Sequence, residues 1–489
     1  MTEWNESYKD YLKDESGLEG TCKKIAFPAS LDELKSCLQE KGQFTIQGSR
    51  TGIMGGASPF QKDDNRDMVI LNLTHLQKIG AVSPQEEGFF ITAESGALLQ
   101  DIQACLGKEH MFFPVEPTEE TATIGGAFAC NAKGLTSLKY GSCREHVVSL
   151  QVLTPDHTLL TIPRNKYFFT ESGCPLPKGG FLPCRPLLEK RDRIPLLPHV
   201  GMDLIDLFAG SEGTLGVFVS LKLKAVPIPP VRWSLVFFFS EETEAMEFSR
   251  SLQSLEEEAE KILSAEFFDA SSLALLQEAR EEQSVLKALP DFPPETSCAV
   301  LLEAASESEE SIESLLFSLL ELFPDEERTW ASDSSVDRER FRSMRHSIPE
   351  KINQRIHSAS SLDPRIHKLP LDLSGPSSQF SEYFHIYREA IRDSGISATI
   401  CGHILENRLH VNFLPKDYQE FQRAQTLMEQ VTDKILKMGG CLCAENGVGK
   451  IKQPLLRKYL SEEEYQLQKT IKEFFDPQHK LCMGNILLG

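Results

Sequence analysis

The chain has 489 residues, 40% hydrophobic and 25% charged, with a formal net charge of −21. This is enough apolar material for a large core divided over several domains, and so acidic a surface repels DNA, RNA and anionic lipid, which argues against a phosphate-backbone binder. No stretch approaches the ~18 apolar residues of a membrane span, and the polar, acidic start MTEWNESYKDYLKDESG lacks the basic flank and apolar centre of a signal peptide, so a cytoplasmic protein is expected.

From about residue 20 to 228 the sequence alternates glycine turns with short strand-like runs: FTIQG, DMVILNL, GFFITAESG, VVSLQVLTP and GVFVSLKLKAVP. Helical segments such as SLDELKSCLQEKG lie between them. The prolines of VPIPPV (226–231) predict a linker. From 229 to 440 long acidic amphipathic segments (EETEAMEFSRSLQSLEEEAEKIL, ESEESIESLLFSLLELF, YQEFQRAQTLMEQVTDKILKMGG) surround strand-like SLVFFF and CAVLLEA. That alternation predicts an α+β domain with helices against an antiparallel sheet. A tail, 441–489, holds a glycine turn, the helix SEEEYQLQKTIKEFF and a DPQHK turn. The 12 cysteines are scattered and form no C-x2-C-x2-C series, which argues against a disulfide framework and an internal iron–sulfur cluster. Cys441 and Cys443 read as alternate positions of a strand.

Chemistry concentrates in a few places. Gly48, Gly52, Gly55 and Gly56 fall in QGSRTGIMGGAS, where peptides without Cβ can turn several N–H groups into one concavity that suits a diphosphate. Ser49, Thr51 and Ser58 add hydroxyls; a flexible loop is the competing reading. EPTEETATIGGAFACNAKG (116–134) carries Gly125 and Gly126 before small residues that could open a helix, and AGSEGTLGVFVSLKL (209–223) turns on glycine into a strand. Neither is G-x-G-x-x-G between strand and helix, so a Rossmann nicotinamide site is not supported. Residues 402–412 read GHILENRLHVN. The spacing of His403 and His410 fits the flanks of a tight turn or two turns of a helix, and a metal pair or two ordinary histidines.

The order GSRTGIMGGAS, TIGGAFACNAKG, KYGSCREHVVSLQVLTPDH, LFAGSEGTLGVFVSLKL closely resembles the FAD-binding domain of the vanillyl-alcohol-oxidase/p-cresol-methylhydroxylase superfamily. GHILENRLHVNFLP, GGCLCAENGVGKIKQPLL and FDPQHKLCMGNIL resemble the FAD-linked oxidase C-terminal domain. That domain marks the branch of D-lactate dehydrogenases, the glycolate oxidase flavoprotein subunit and D-2-hydroxyglutarate dehydrogenase. The likeness runs from about 20 to 487. It implies an α+β fold: an FAD-binding domain of two subdomains (20–228), a substrate or cap domain with an antiparallel sheet (229–440), and a C-terminal segment returning to the flavin (441–489). Gly48, Ser49, Arg50, Thr51, Gly52, Gly55, Gly56, Ala57 and Ser58 would then hold the diphosphate. Pro117, Thr121, Gly125, Gly126, Asn131 and Gly141 would lie along the flavin, with Gly213, Thr214 and Gly216 nearby. Cys143 and His146 stand near this motif, but FAD is expected to be non-covalent.

On the substrate side the resemblance implies that His403, His410 and Glu445 bind a divalent metal (Zn, Fe or Mn). Arg345 would clamp the substrate carboxylate, Lys368 would be a second cation, and Asn412 would sit beside the metal. The implied reaction is oxidation of a small 2-hydroxy acid (D-lactate-, glycolate- or D-2-hydroxyglutarate-like) by hydride transfer to flavin N5. Electrons would pass on to oxygen, a quinone, an electron-transferring flavoprotein or an iron–sulfur subunit, and dimerisation is common for such folds. The chain departs from the family in three motifs. A-E-H-G, whose His is the base, is Ala444-Glu445-Asn446-Gly447; Asn446 cannot take a proton at neutral pH. G-D-G-N is Leu405-Glu406-Asn407-Arg408, placing a cation near the metal motif, and N-P-G-K is Cys482-Met483-Gly484-Asn485. A second reading is therefore a flavoprotein subunit with weakened hydroxy-acid chemistry, serving FAD binding or electron relay.

Overall fold

The alternating runs of the first region need partners to bury their apolar faces, and they find them in two sheets. The computed structural model describes residues 1–60, 67–186, 194–375 and 379–487. It comprises two units: Met1–Gly134, Tyr140–Ile228 and Glu445–Gly489 in one, Leu135–Lys139 and Pro229–Ala444 in the other.

In the first unit, strand Met68–Asn72 lies between Lys24–Ala26 and Gln43–Gln47 and is parallel to both. All five of its residues are buried, as expected of a parallel strand covered on both faces. Helix Leu31–Gln39 connects two of these strands; the Ser30 side chain accepts from Glu33 N, and Leu34, Cys37 and Leu38 face inward. The second sheet has Val217–Pro227 at its centre, antiparallel to Gly88–Glu94 and Val147–Leu153. Leu153, Val217, Val219 and Leu481 share one core with Val69 and Leu71. The end of the chain closes on this unit: Phe44 N donates to Lys480 O (2.6 Å) and Cys482 N to Phe44 O (2.7 Å). The predicted linker is shorter than 226–231. Val226 and Pro227 pair with Phe112 and Met111, so the strand continues through them to its end.

The second unit is built on a seven-stranded antiparallel sheet. Its order is Thr329–Ser332, Val231–Phe239, Cys298–Ser306, Ile262–Phe268, Ala398–His403, Arg408–Phe413, Pro370–Ser374. Helices Ala270–Glu282 and Ser335–Leu362 pack on it; Phe341, Met344, Ile348 and Ile352 recur at helical spacing and enter its core. The long acidic amphipathic segment 241–263 divides. The helix ends at Gln253, the acidic run Glu256–Lys261 is a 3₁₀ turn without a buried residue, and Ile262 opens a strand buried along its whole length. Three consecutive glutamates have no apolar face to extend an amphipathic helix, and the apolar run after them needs sheet partners. Cys441 pairs antiparallel with Ser374 through two backbone hydrogen bonds, but the pairing stops there, and Cys443 N lies 3.4 Å from Cys441 Sγ in an irregular segment. Among the described residues no helix is long and apolar enough to cross a membrane.

Candidate active site

The glycine loop after strand Gln43–Gln47 is anchored through its carbonyls. Glu15 N donates to Arg50 O, Lys450 N and Ile451 N to Met54 O, Lys450 Nζ to Gly55 O (3.1 Å) and Asn485 Nδ2 to Gly56 O (2.9 Å). Among the described residues none of the amides from Ser49 to Gly56 donates to a protein acceptor. A run of unused backbone donors beside glycines is what an anion cradle requires. These residues therefore fit the diphosphate of FAD. Ala57 and Ser58 play another part: Ala57 N donates to Asp14 Oδ2, and Ser58 Oγ donates to Leu18 O and accepts from Asp14 N. Their polar groups fasten the N-terminal segment. Arg50 lies 4.1 Å over the Tyr11 ring.

The other predicted flavin residues stand in the same unit. Pro117 and Thr121 lie in the irregular segment before helix Ile124–Cys130, and Thr121 Oγ1 bonds Glu119. Thr123 caps that helix by accepting from Gly126 N; a Cβ on Gly48 would sit 2.1 Å from the Thr123 hydroxyl. A Cβ on Gly125 would meet Ser95 at 2.6 Å, so the helix start lies directly against the strand. Asn131 ends the helix in a left-handed conformation, and its Oδ1 accepts from Ser142 Oγ and Arg144 N just after Gly141. Gly213 packs on Cys482, Gly216 on Val152, and Thr214 is buried with its hydroxyl on Ser211 O. Cys143 is fully buried and His146 Nε2 bonds Tyr140 O, so both are engaged in packing.

Glu212, in SEGTLG, is a buried hub that spacing did not reveal. Its carboxylate accepts from Val448 N (2.6 Å) and Gly449 N (2.8 Å), directly after Glu445-Asn446-Gly447. Burial pushes this carboxyl up to about 7, against the opposing pull of those two amides and Lys450. The folded group keeps its proton up to that pH, whereas the unfolded one loses it near 4.5. The folded state thus binds more protons between these values. Stability is fully present below the unfolded value and falls as pH rises, by about 3 kcal/mol across the window. Glu212→Gln should flatten this slope in denaturant titrations run from pH 4.5 to 7; equal slopes in variant and parent would exclude Glu212 as its source.

In the second unit GHILENRLHVN is a hairpin. Strand Ala398–His403 pairs with Arg408–Phe413 across a turn in which Asn407 is left-handed. Register puts His403 opposite Arg408 and His410 opposite Cys401, so both histidines share one sheet face. Glu266 pairs with His403 from one neighbouring strand and Asp372 with His410 from the other. His403 Nε2 is 3.3 Å from Glu266 Oε1, and His410 Nδ1 is 3.7 Å from Asp372 Oδ1. Arg345 Nε donates to the same Glu266 oxygen (2.7 Å), and both side chains are buried. Lys368, also buried, donates to Asn353 Oδ1 (2.8 Å); buried Asn412 faces Thr399 and Pro370 in the register. Arg408, with no exposed surface, donates to Glu406 Oε2 (2.7 Å) and Ser137 Oγ (2.8 Å). His410 beside buried Asp372 offers a nitrogen and an oxygen donor of the kind a divalent metal takes, whereas His403 Nε2 faces the Glu266 oxygen that Arg345 already holds. Glu445 and Asn446, half-buried, open the segment that returns to the first unit.

Residues 228–486 match the family of FAD linked oxidases, C-terminal domain, and residues 23–163 match an FAD binding domain. The chain belongs to the FAD-linked oxidases. It is an FAD-dependent oxidoreductase. It is similar to a D-lactate dehydrogenase of Anaerostipes hadrus, 25% identical over 99% of this chain and 93% of that protein. It is also similar to the glycolate oxidase subunit GlcD of Bacillus subtilis (strain 168), 23% identical over 94% and 88% of the two chains. Among solved structures, p-cresol methylhydroxylase with substrate bound has the same fold, with a TM-score of 0.70 at 15% identity over 98% of this chain and 92% of that one.

Two departures of this FAD-linked oxidase acquire a physical reading. In Leu405-Glu406-Asn407-Arg408, Asn407 takes the left-handed conformation that asparagine tolerates in place of glycine. The Arg408 charge is matched by Glu406. In Cys482-Met483-Gly484-Asn485 the last residue ties the glycine loop, through Gly56 O and Lys450 Nζ. Glu266 and Asp372 escaped the sequence reading. The available signal was a lone acid inside an apolar run, in ILSAEFF and LPLDL.

Proposed function

We propose that this protein oxidises a small 2-hydroxy acid. The observation that carries the reading is Arg345: a buried arginine whose one side-chain bond among the described residues goes from Nε to Glu266, leaving Nη1 and Nη2 without a protein acceptor. Those two parallel donors match a carboxylate. The names of the relatives, a D-lactate dehydrogenase and a glycolate oxidase subunit, agree with such an acid. When bound, FAD accepts the hydride and a divalent metal polarises the substrate hydroxyl. In this reading Arg345 grips the carboxylate, Lys368 adds positive charge, and Asn412 hydrogen-bonds the acid. His403, His410 and Glu445 hold the metal. Asn446 occupies the position of the missing base and offers only hydrogen bonds, so the proton leaves less readily than from a site with histidine.

The test is anaerobic addition of D-lactate, glycolate and D-2-hydroxyglutarate to the flavin-loaded protein. Bleaching of the flavin by one of them is the expected result. A flavin that stays oxidised with all three would favour the relay subunit that Asn446 suggests. Asn446→His should raise the bleaching rate by about 10²-fold or more; no gain, with flavin and metal bound, would refute the missing-base account.

A further inference from the structure

Burying a carboxylate is costly, and apolar residues of similar size often stabilise a protein as well as a buried ion pair does. Glu266 is nonetheless set in a strand whose seven residues are all buried, five of its neighbours there being apolar and the sixth a serine. Its register places it beside His403, and its Oε1 takes the Nε–H of Arg345, a helix residue 79 positions away. The Nε–H bond lies in the plane of the guanidinium. Holding that hydrogen fixes the plane and determines where the Nη1/Nη2 edge points. An arginine on a long helix otherwise has several rotamers to lose before it can meet a ligand.

From this geometry we infer that Glu266 is a positioning residue that presents the open edge of Arg345 to the carboxylate of the substrate. The inference rests on the hydroxy-acid reading above. Glu266 does not touch the substrate. It lowers the cost of binding by fixing the arginine in advance, and the same oxygen faces His403. Its removal should therefore act on the capture of the acid and act through Arg345.

The experiment is a double-substitution cycle in the flavin-loaded protein, read as turnover with an artificial dye as electron acceptor at varied concentrations of the acid that bleaches the parent. Glu266→Ala should raise KM about tenfold or more, with a smaller change in kcat. Glu266→Gln keeps an oxygen that can accept from Nε and should recover most of that loss. Arg345→Lys has no Nε–H for Glu266 to hold, so adding Glu266→Ala to it should cost far less than in the parent. Flavin content and melting temperature, measured on each variant, separate this from unfolding. A KM unchanged in both Glu266 variants, or losses that add fully in the double variant, overturns the assignment and leaves the hydroxy-acid reading intact. A parent whose flavin is reduced by no hydroxy acid overturns both. Should Glu266→Ala not fold, the comparison of Glu266→Gln with and without Arg345→Lys decides the same question.

Discussion

Arg345→Met should lower kcat/KM for the hydroxy acid by about 10²–10³-fold, the usual consequence of removing one partner from a buried, charge-assisted pair. Methionine is unbranched and of similar length to arginine but has no donor. The loss should appear mainly in KM. It should come with destabilisation, because Glu266 keeps its burial and loses its cation, a change that costs about 3–5 kcal/mol where nothing replaces the pair. Arg345→Lys separates the two effects. Lysine retains the charge and most of the stability, but as a point charge it cannot form the two-pronged contact. Steady-state turnover with an artificial dye as electron acceptor, together with denaturant titrations on the same preparations, checks both. An Arg345→Met protein that binds the acid as the parent does would remove Arg345 from the site.

The second large effect is expected at Arg408. Installing the asparagine usual in the family should destabilise the second unit by about 3–5 kcal/mol, since Glu406 loses its arginine, the Ser137 hydroxyl that still bonds it is uncharged, and the cavity left by the longer side chain has no exposed surface to collapse toward. Flavin content in the first unit is the control. Arg408→Asn combined with Glu406→Leu should recover part of the loss, because the carboxylate whose charge Arg408 balanced is gone. A single variant as stable as the parent would mean that the pair contributes nothing and that water reaches Glu406 in its place.

Much of this was legible in the sequence. The glycine clusters, the long amphipathic helices and the antiparallel second domain follow from local periodicity. What local pattern could not supply is pairing across distance. Glu266 and Arg345 lie in segments whose spacing carries no hint of contact, and only sheet register brings His403 to the same acid. The hairpin was one of two readings, and Asn407 decided it by adopting a conformation that a helix would not allow. The glycine loop was identified by composition, but its cradle depends on which peptide groups are already engaged. Here the carbonyls are taken by Lys450 and Asn485, more than 390 residues later in sequence, which composition cannot show. The break at Glu256–Lys261 has the opposite cause: glutamates of good helical propensity had no apolar face to use it.

The anchoring of the glycine loop also sets an order of events during synthesis. Lys450, Asn485 and the strand-like contacts of Lys480 and Cys482 with Phe44 come from the last part of the chain, while the loop they shape is among the first parts made. A nascent chain still lacking residues 450–485 has the loop without these carbonyl anchors. The loop therefore takes its final shape only once those residues have been made and have folded back beside strand Gln43–Gln47.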